Sequence, residues 1–285
     1  MLPVSSTTFI RNAFTGGFPL FESMATMLAL PIDEFVVLDV GSDDGTRAVL
    51  ADIAAINPRV KVYDTQWAKI DAGVFADIAN DCIAACRNER VFFYQADEVW
   101  HQNLLPQIQA HWDAGHFDLS FWRIQLRKNF HDIKWFPHFV HRCIVKGQSH
   151  YVGDGMNTNR TNDAILCSTR DGGWFSRWGN EFKGCEVKLP WEEFVFDIGA
   201  SFRDNQAVKR ALHAPFWHEP LDVIEGKSRE DWQRNAATEN EWTSQTTPFR
   251  VPKILRGCVG MTTYYLRPEL LDALKSDTTS ALVKE

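Results

Sequence analysis

This sequence of 285 residues lacks most of the signals that place a protein in a membrane, outside the cell or on nucleic acid. No apolar run approaches the ~20 residues needed to cross a bilayer. The first residues, MLPVSSTTFIRNAF, show no basic region followed by an apolar stretch, so we expect neither a transmembrane segment nor a signal peptide. Six cysteines form no C-x-x-C pair, which indicates neither a zinc site nor a disulfide framework. We therefore expect a cytoplasmic protein with reduced thiols.

Composition adds further limits. The net charge of −7 argues against a surface that coats nucleic acid, although it does not exclude one local basic groove. Hydrophobic residues make up 45% of the chain and charged residues 24%, which is typical of a globular protein with a large core. The length predicts one or two domains, and no internal repeat or low-complexity linker interrupts the chain.

The first half of the chain alternates between strand and helix patterns. The run EFVVLDV at 34–40 is almost continuously apolar, as expected for a strand covered on both faces. Strands separated by helices predict an α/β fold with a mainly parallel, twisted sheet flanked by helices. The predicted strands are 4–10, 34–40, 60–63, 91–94 and 118–125, and the predicted helices are 19–30, 46–56, 71–87 and 103–112.

The second half has a different pattern. Residues 127–215 show weak helical periodicity, many tryptophans and Gly-rich turns, which predicts a loop-rich extension of the same domain. Residues 203–217 become helical again, and we expect one helix after Arg267 followed by a disordered end. The chain is thus divided into a first half (1–125), a second half (126–267) and a C-terminal helix and tail (268–285).

Three polar segments follow predicted strands, where ligands of parallel sheets bind. They are Phe9–Asn12, Asp39–Thr46 and Tyr94–Glu98. The Gly, Ser and Asp residues of the second segment could bind an anion at a helix N-terminus or simply cap that helix. The adjacent carboxylates of Asp97 and Glu98 favour a cation between them, and a divalent ion with oxygen ligands fits.

The order of these segments resembles a known family. TFIRNA, then ESMATMLALPIDEFVVLDVGSDDGT, then YQADEVW are similar to the motifs of family-2 glycosyltransferases, which have the GT-A fold. The resemblance is close over residues 4–125 and weaker to about residue 217. It implies a GT-A-like domain with a nucleotide-sugar-binding first half and a loop-rich acceptor-side second half. It also implies a metal-dependent transferase that inverts the sugar and uses Mn²⁺ or Mg²⁺.

The resemblance assigns roles to individual positions. Asp39 matches the aspartate that reads the nucleobase, and Asp44 matches the one that fixes the turn near the nucleotide. Gln95 stands where the first aspartate of the family's Asp-x-Asp motif is expected, and its amide could still bind a ribose hydroxyl. The whole nucleotide set is Phe9, Arg11, Asn12, Asp39, Asp44, Asn80, Gln95 and Ala96.

The resemblance places Asp97 in the metal-ligand position, and the adjacent Glu98 could add a second carboxylate. The third expected ligand is Asp197, which stands where relatives have a histidine. Aspartate would favour Mg²⁺ or Mn²⁺ over softer ions. Alternatives for the third ligand are His213 or His218, or no protein ligand at all.

The general base is expected in the second half. Asp154 between two glycines is the first candidate, ahead of Glu181 and Asp163. Trp174 and Trp178 could stack on an acceptor sugar, although large aromatics more often fill cores.

The expected donor is a nucleotide-diphosphate sugar, and the acceptor is a saccharide, a lipid-linked molecule or another hydroxyl compound. One alternative is transfer to a protein side chain or a modified DNA base, for which the basic residues Arg123, Arg127, Lys128, Lys134 and Arg142 would contact phosphates. Another is a non-catalytic nucleotide-sugar-binding module, which only Gln95 favours.

Overall fold

The computed structural model describes a large part of the chain. The described residues are 3–66, 74–117, 119–127, 132–133, 138–147, 149–152, 165–168, 187–188, 194–200, 202, 252–259, 261 and 263–284. For several positions in the later strands, including Asp197, only the backbone is described.

The elements alternate along the first half and become mostly strands after it. The helices are α1 (Ala13–Gly16), α2 (Leu20–Leu28), α3 (Thr46–Ile56), α4 (Val74–Ala85), α5 (Leu104–Asp113), a 3-10 helix (Lys253–Cys258), α6 (Pro268–Ser276) and α7 (Thr279–Lys284). The strands are β1 (Val4–Ile10), β2 (Glu34–Asp39), β3 (Val60–Asp64), β4 (Arg90–Phe93), β5 (Glu98–Trp100), β6 (Leu119–Arg127), β7 (Asp132–Ile133), β8 (His138–His141), β9 (Cys143–Val145), β10 (Ser149–Val152), β11 (Ile165–Ser168), β12 (Val187–Lys188) and β13 (Phe194–Ala200).

The central sheet has the strand order β3-β2-β1-β4-β9. Its first four strands are parallel, and β9 joins the edge antiparallel to β4. Alternate side chains of β2 enter two different cores, with Phe35 and Val37 on one face and Val36 and Leu38 on the other. This explains the continuous apolar run in the sequence, since both faces are covered.

Helices cover both faces of this sheet. Helix α4 packs on β1 and β2, and α2 contacts β2 as well as β5. Every residue of α2 is buried, because the C-terminal helices α6 and α7 cover its other side. The prediction of a mainly parallel sheet flanked by helices is confirmed.

A second sheet extends the fold beyond β4. It has the order β12-β6-β13-β5, with β7 and β8 also paired to β6. The two sheets meet around aromatic side chains, where the ring of Phe92 lies 4.9 Å from Trp100 and 5.7 Å from Phe121. The described part of the second half therefore holds many short strands, where the sequence predicted mainly loops.

The C-terminal end differs from its prediction. A single helix and a disordered end were expected after Arg267, but the structure has two helices, separated at Asp277 by its left-handed backbone (φ 59°). The expectation was wrong because the tail has its own apolar anchors: Leu270, Leu274 and Val283 are at most 1% exposed. Asn57 Nδ2 also donates to the carbonyl of Leu274 (2.8 Å), which ties α6 to the end of α3.

Other predicted bounds are close to the observed ones. The helix predicted over 71–87 runs from Val74 to Ala85, and residues 67–73 are outside the described part. The helix predicted over 203–217 is also outside it. Among the described residues, no helix is long and apolar enough to cross a membrane.

Candidate active site

The loop after β1 is fastened to the loop after β2. The backbone N–H of Asn12, which has a left-handed φ of 57°, donates to Ser42 Oγ (2.8 Å). The side-chain amide of Asn12 donates to Asp43 Oδ1 (2.9 Å), and its oxygen accepts the N–H of Asp43 (2.8 Å). Asn12 is 6% exposed whereas Asp43 is exposed, so this pairing links a buried side chain to the surface of the loop. The pairing joins the loops at the carboxyl ends of β1 and β2, and these two joined loops form a cradle.

Asp44 shapes the same cradle from the other side. Its Oδ1 accepts from the N–H and the hydroxyl of Thr46 (3.1 and 2.6 Å), and its Oδ2 accepts from the N–H of Thr15 (2.8 Å). The Thr46 hydroxyl accepts in turn from the N–H of Ala13 (2.9 Å). Both carboxylate oxygens of Asp44 thus hold the turn and the start of α3, while Gly45 supplies the positive φ of 92°.

Asp39 ends β2 beneath this cradle and is only 2% exposed. Its Oδ1 accepts two backbone N–H groups, from Gly41 (3.1 Å) and Ser42 (2.7 Å). Its Oδ2 is buried and has no hydrogen-bond partner among the described residues. Because buried polar atoms are nearly always satisfied, this oxygen marks a place where a donor group of a ligand would fit.

Two further predicted nucleotide residues lie at the end of β1. The ring of Phe9 lies 6.2 Å from that of Phe75 and 6.3 Å from that of Phe93, so it forms one apolar wall at this edge. Arg11 is half-buried, and its Nε is buried without a hydrogen-bond partner in the described part of the chain. Both positions are adjacent to Asp39, because β1 pairs with β2 in the register Ile10 to Asp39.

Asn80 has a role that the sequence did not indicate. Its Nδ2 donates to the carbonyl of Tyr151 (2.8 Å), and its Oδ1 accepts the N–H of Tyr151 (2.8 Å). These two hydrogen bonds between the Asn80 side chain and the backbone of Tyr151 tie helix α4 to β10. A contact of Asn80 with the nucleotide stays a prediction, and it would have to coexist with this pairing.

The turn from β4 to β5 carries the Gln-x-Asp motif. The N–H of Glu98 donates to the carbonyl of Gln95 (2.9 Å), which closes the turn and leaves Asp97 half-buried at its tip. Ser23 of α2 donates its hydroxyl to the carbonyls of Ala96 (3.3 Å) and Glu98 (2.6 Å). The backbone of the motif is therefore supported from below by the buried helix α2.

Glu98 itself is fully buried between two arginines. Arg142 donates from Nη2 to Oε1 (2.6 Å) and from Nε to Oε2 (3.0 Å), and Arg123 Nη1 donates to Oε1 (3.1 Å). The N–H of Gln95 also donates to Oε2 (3.1 Å). Since both oxygens are engaged and the side chain is 0% exposed, the prediction of Glu98 as a metal ligand is corrected. The cation that its carboxylate requires is supplied by guanidinium groups.

The same contacts correct the proposed basic patch. Arg123 and Arg142 are 3% and 4% exposed, so neither is on a surface that could contact nucleic-acid phosphates. Of the remaining patch residues, Lys128 and Lys134 lie outside the described residues, and only the backbone of Arg127 is described.

Asp197 is brought beside the motif by strand pairing. In the antiparallel pair of β13 and β5, Asp197 is the register partner of Glu98, one residue away from Asp97. Paired residues of such strands have Cα atoms about 4.5–5.5 Å apart. The described residues contain no group of three or more His, Cys, Asp or Glu side chains that could hold a metal ion.

The remaining predicted residues lie outside the part of the chain that the structure describes; they are Asp154, Asp163, Glu181, Trp174, Trp178, His213 and His218. Sequence reasoning missed the roles of Arg123 and Arg142 as partners of Glu98. A carboxylate at the start of a wholly buried strand was the available signal, because such a group needs a cationic partner from elsewhere in the chain.

The sequence match decides the family. The model of "Glycosyl transferase family 2" matches residues 20–172, more than half of the chain. The chain belongs to this family. Its membership and the parallel sheet described above confirm the predicted GT-A-like α/β fold. The matched region begins at α2 and includes Asp39, Asn80 and the β4–β5 turn.

Comparison with solved structures yields distant similarities. A structure of TarS from S. aureus in complex with UDP-GlcNAc is 18% identical, covers 45% of this chain and 35% of that one, and has a TM-score of 0.32. The mannosyltransferase PcManGT from Pyrobaculum calidifontis, in complex with GDP-Man and Mn²⁺, is 18% identical, covers 45% of this chain and 37% of that one, and has a TM-score of 0.32. The matched part thus spans little more than a third of either structure. The sequence matches no curated protein.

Proposed function

We propose that this protein is a glycosyltransferase that moves a sugar from a nucleoside-diphosphate sugar to a hydroxyl group of an acceptor. The observation that carries the proposal is the unpartnered Oδ2 of Asp39, buried at the carboxyl edge of the parallel sheet in a member of family 2. Ligands of parallel sheets bind at this edge. A nucleobase N–H donating to Oδ2 would supply the hydrogen bond for which this oxygen has no partner among the described residues.

The geometry of Asp39 also favours one kind of base. Since Oδ1 already accepts two backbone N–H groups, Oδ2 is the oxygen left to accept from the base. Uracil and thymine present a single N3–H donor, which matches one acceptor. Guanine presents N1–H and an amino group side by side, and a carboxylate reads that pair best with both oxygens. We therefore expect a uridine or thymidine diphosphate sugar to bind more tightly than a guanosine diphosphate sugar.

The diphosphate would lie over the β4–β5 turn, where Asp97 is half-buried. Asp97 would hold Mn²⁺ or Mg²⁺, with Asp197 as a second ligand, because these ions prefer hard oxygen ligands. The pairing of Asp197 with Glu98 supports this assignment, since it places the backbone of Asp197 one residue away from Asp97. When bound, the metal would neutralise the negative charge that develops on the leaving diphosphate.

The protein's own groups would then direct a single displacement. The acceptor oxygen attacks the anomeric carbon, the bond from that carbon to the diphosphate oxygen breaks, and its electron pair leaves with the diphosphate. The proton of the acceptor hydroxyl passes to a carboxylate, for which Asp154 remains the first candidate and Glu181 the second. One displacement inverts the configuration of the sugar. General-base catalysis contributes about 100-fold or more, so Asp154→Asn should lower turnover by at least that factor and leave donor binding intact.

The binding step is tested by calorimetry of the full chain with UDP, dTDP and GDP in the presence of Mn²⁺. The variant Asp39→Asn keeps an oxygen for the loop amides but places an NH₂ group where Oδ2 was. It should lose about 1–3 kcal/mol of UDP affinity, the scale of an unsatisfied polar pair.

The matched control is Asp43→Asn in the same loop, at an exposed position, where the oxygen that accepts from Asn12 is retained. Its affinity for UDP should stay within about three-fold of the parent. Equal losses in both variants, or tighter binding of GDP than of UDP, would refute the reading of the base by Asp39.

The catalytic step is tested separately, by release of UDP from UDP-sugars with and without acceptors. Release that depends on Mn²⁺ supports transfer. Tight UDP binding in a protein that never releases UDP from any sugar donor would instead support a binding module. Saccharide and lipid-linked acceptors are distinguished by which of them accelerates the release.

A further inference from the structure

A buried cluster of three charged side chains lies directly beneath the Gln-x-Asp turn. Glu98, Arg123 and Arg142 are 0%, 3% and 4% exposed, and all three hydrogen-bond within 2.6–3.1 Å. Burying such a group requires excellent geometry, because each charge loses its hydration. Apolar side chains of similar volume would often give the same stability. Stability alone therefore does not explain the buried charges, and their position in the fold indicates their role.

The cluster joins the chain segments that enter and leave the turn. Glu98 is the first residue of β5, Arg123 lies in β6, and Arg142 directly precedes β9. The carbonyl of Arg142 accepts the N–H of Phe93, the last residue of β4 (2.9 Å). The two sheets are therefore locked together at the point where the motif crosses from one to the other.

Arg123 contacts the side chain of Gln95 as well as that of Glu98. Its Nη1 donates both to Glu98 Oε1 (3.1 Å) and to Gln95 Oε1 (2.9 Å). The backbone N–H of Gln95 donates at the same time to Glu98 Oε2 (3.1 Å). Gln95 is thus held by its side chain and by its backbone, and the orientation of its amide is set by Arg123.

We propose that Arg123 is a positioning residue for donor binding: through Gln95 it fixes the turn that carries Asp97, although it need not touch the nucleotide itself. The inference rests on the proposed function. Arg142 is the natural comparison, because it contacts Glu98 through two nitrogens and leaves the Arg123–Gln95 contact in place when removed. Each arginine can be replaced while the other still neutralises Glu98.

The experiment compares Arg123→Met with Arg142→Met in the full chain. Calorimetry gives the Kd of UDP with Mn²⁺, and denaturant unfolding gives the stability of each variant. We expect both variants to be less stable than the parent, and Arg123→Met to weaken UDP binding about ten-fold, with Arg142→Met within about three-fold of the parent. Equal weakening in both variants, or none in Arg123→Met, overturns the inference.

A double-mutant cycle keeps the test decisive if a methionine variant does not fold. Arg123→Lys keeps the charge, but its ammonium stands on a shorter stem and cannot take the position of Arg123 Nη1, which donates to both Gln95 and Glu98. Gln95→Met removes the group that Arg123 orients. If Arg123 acts through Gln95, then Arg123→Lys should weaken UDP binding in the parent and have no further effect in the Gln95→Met background. Additive effects overturn the inference.

Failure of this inference is distinguishable from failure of the proposed function. A parent protein that binds no nucleoside diphosphate refutes the proposed function, and with it the basis of the inference. A parent that binds UDP normally, beside an Arg123→Met variant that binds equally well, refutes the role of Arg123 alone.

Discussion

Two turns at the same edge of the sheet are held in opposite ways. The turn between β2 and α3 is organised by neutral donors, with backbone N–H groups and hydroxyls satisfying Asp39 Oδ1 and both oxygens of Asp44. The turn between β4 and β5 is organised by charge, with two buried guanidinium groups on Glu98. In the first turn most donors come from the loop itself, whereas in the second they come from 25 and 44 residues further along the chain.

The two turns therefore differ in the polar atoms that they leave without a partner among the described residues. Neutral hydrogen bonds leave Asp39 Oδ2 without a partner, so the first turn offers a polar atom to bind. In the second turn the negative charge of Glu98 is already paired with two guanidinium groups. This pairing holds the backbone that carries Gln95 and Asp97.

Removing the charge of Glu98 should disrupt the second turn most severely. Glu98→Gln leaves two buried guanidinium groups without their carboxylate, so we expect a loss of about 3–5 kcal/mol in the free energy of unfolding. Urea denaturation of the full chain measures it. Asp97→Asn, one residue away and half-buried, is the matched control, and its stability should change by less than about 1 kcal/mol. A Glu98→Gln variant as stable as the parent would show that charge does not hold this turn.

Removing Asp44 should affect the first turn less. Asp44→Ala leaves the N–H groups of Thr15 and Thr46 without their acceptor, and losing these hydrogen bonds should cost about 1–2 kcal/mol. The effect should be visible in urea denaturation and largely independent of salt concentration. If instead high salt removed most of the difference, electrostatic attraction rather than hydrogen bonding would be the source of the stability.

Glu22 has a third buried carboxylate, and it extends the comparison because its cation, Arg267, is near but not hydrogen-bonded to it. Glu22 is 0% exposed, accepts from the Tyr264 hydroxyl (2.7 Å) and the Cys258 thiol (3.4 Å), and lies 3.8 Å from Arg267. Burial raises its pKa above the ordinary value of 4.5, and the contacts with Tyr264 and Arg267 oppose this only in part.

The sign of the pH effect follows from that direction. A raised pKa in the folded state means that the contribution of Glu22 to stability is complete below its unfolded pKa and is lost as the pH rises through the folded pKa. Glu22→Gln cannot ionise, so the parent should lose stability relative to this variant as the pH rises from 4.5 toward neutrality. Thermal unfolding of both proteins across this range measures the difference, and a constant difference would contradict the assignment.

The smallest effect is expected for an exposed ion pair near the first turn. Arg47 of α3 pairs with Asp64 at the end of β3, and the hydrogen bond from Arg47 lowers the pKa of Asp64, whose side chain is 67% exposed. Arg47→Met should change the free energy of unfolding by less than about 1 kcal/mol. Arg59→Met is the contrasting variant, because Arg59 is less exposed and also donates to the carbonyl of Leu28 (2.8 Å). A larger loss of unfolding free energy in Arg47→Met than in Arg59→Met would contradict the expectation that the more exposed ion pair contributes less to stability.

Much of the first half could be predicted from the sequence because its signals are local. The apolar run of β2 indicated a strand covered on both faces, and its two cores confirm this. The contiguous segment from Asp39 to Thr46 places its own hydrogen-bonding groups around one turn, so its sequence already indicated a tight polar loop at a strand end. The bounds of the helices differed by a few residues, since helix ends depend on capping contacts that the pattern does not show.

Side chains whose partners are distant in the chain could not be paired from the sequence. The sequence could place the carboxylate of Glu98 after a strand, but the two arginines that engage it lie on other strands. Likewise Asn80 could be assigned to a helix, while its pairing with Tyr151, 71 residues later, depends on how β10 packs. By itself the sequence determined the order of the elements, the sheet edge and the residues that end there. Folding determined which of those residues are fully hydrogen-bonded within the described part of the chain and which, like Asp39, have an oxygen without a partner there, because a buried polar group is satisfied by whatever the fold brings within reach.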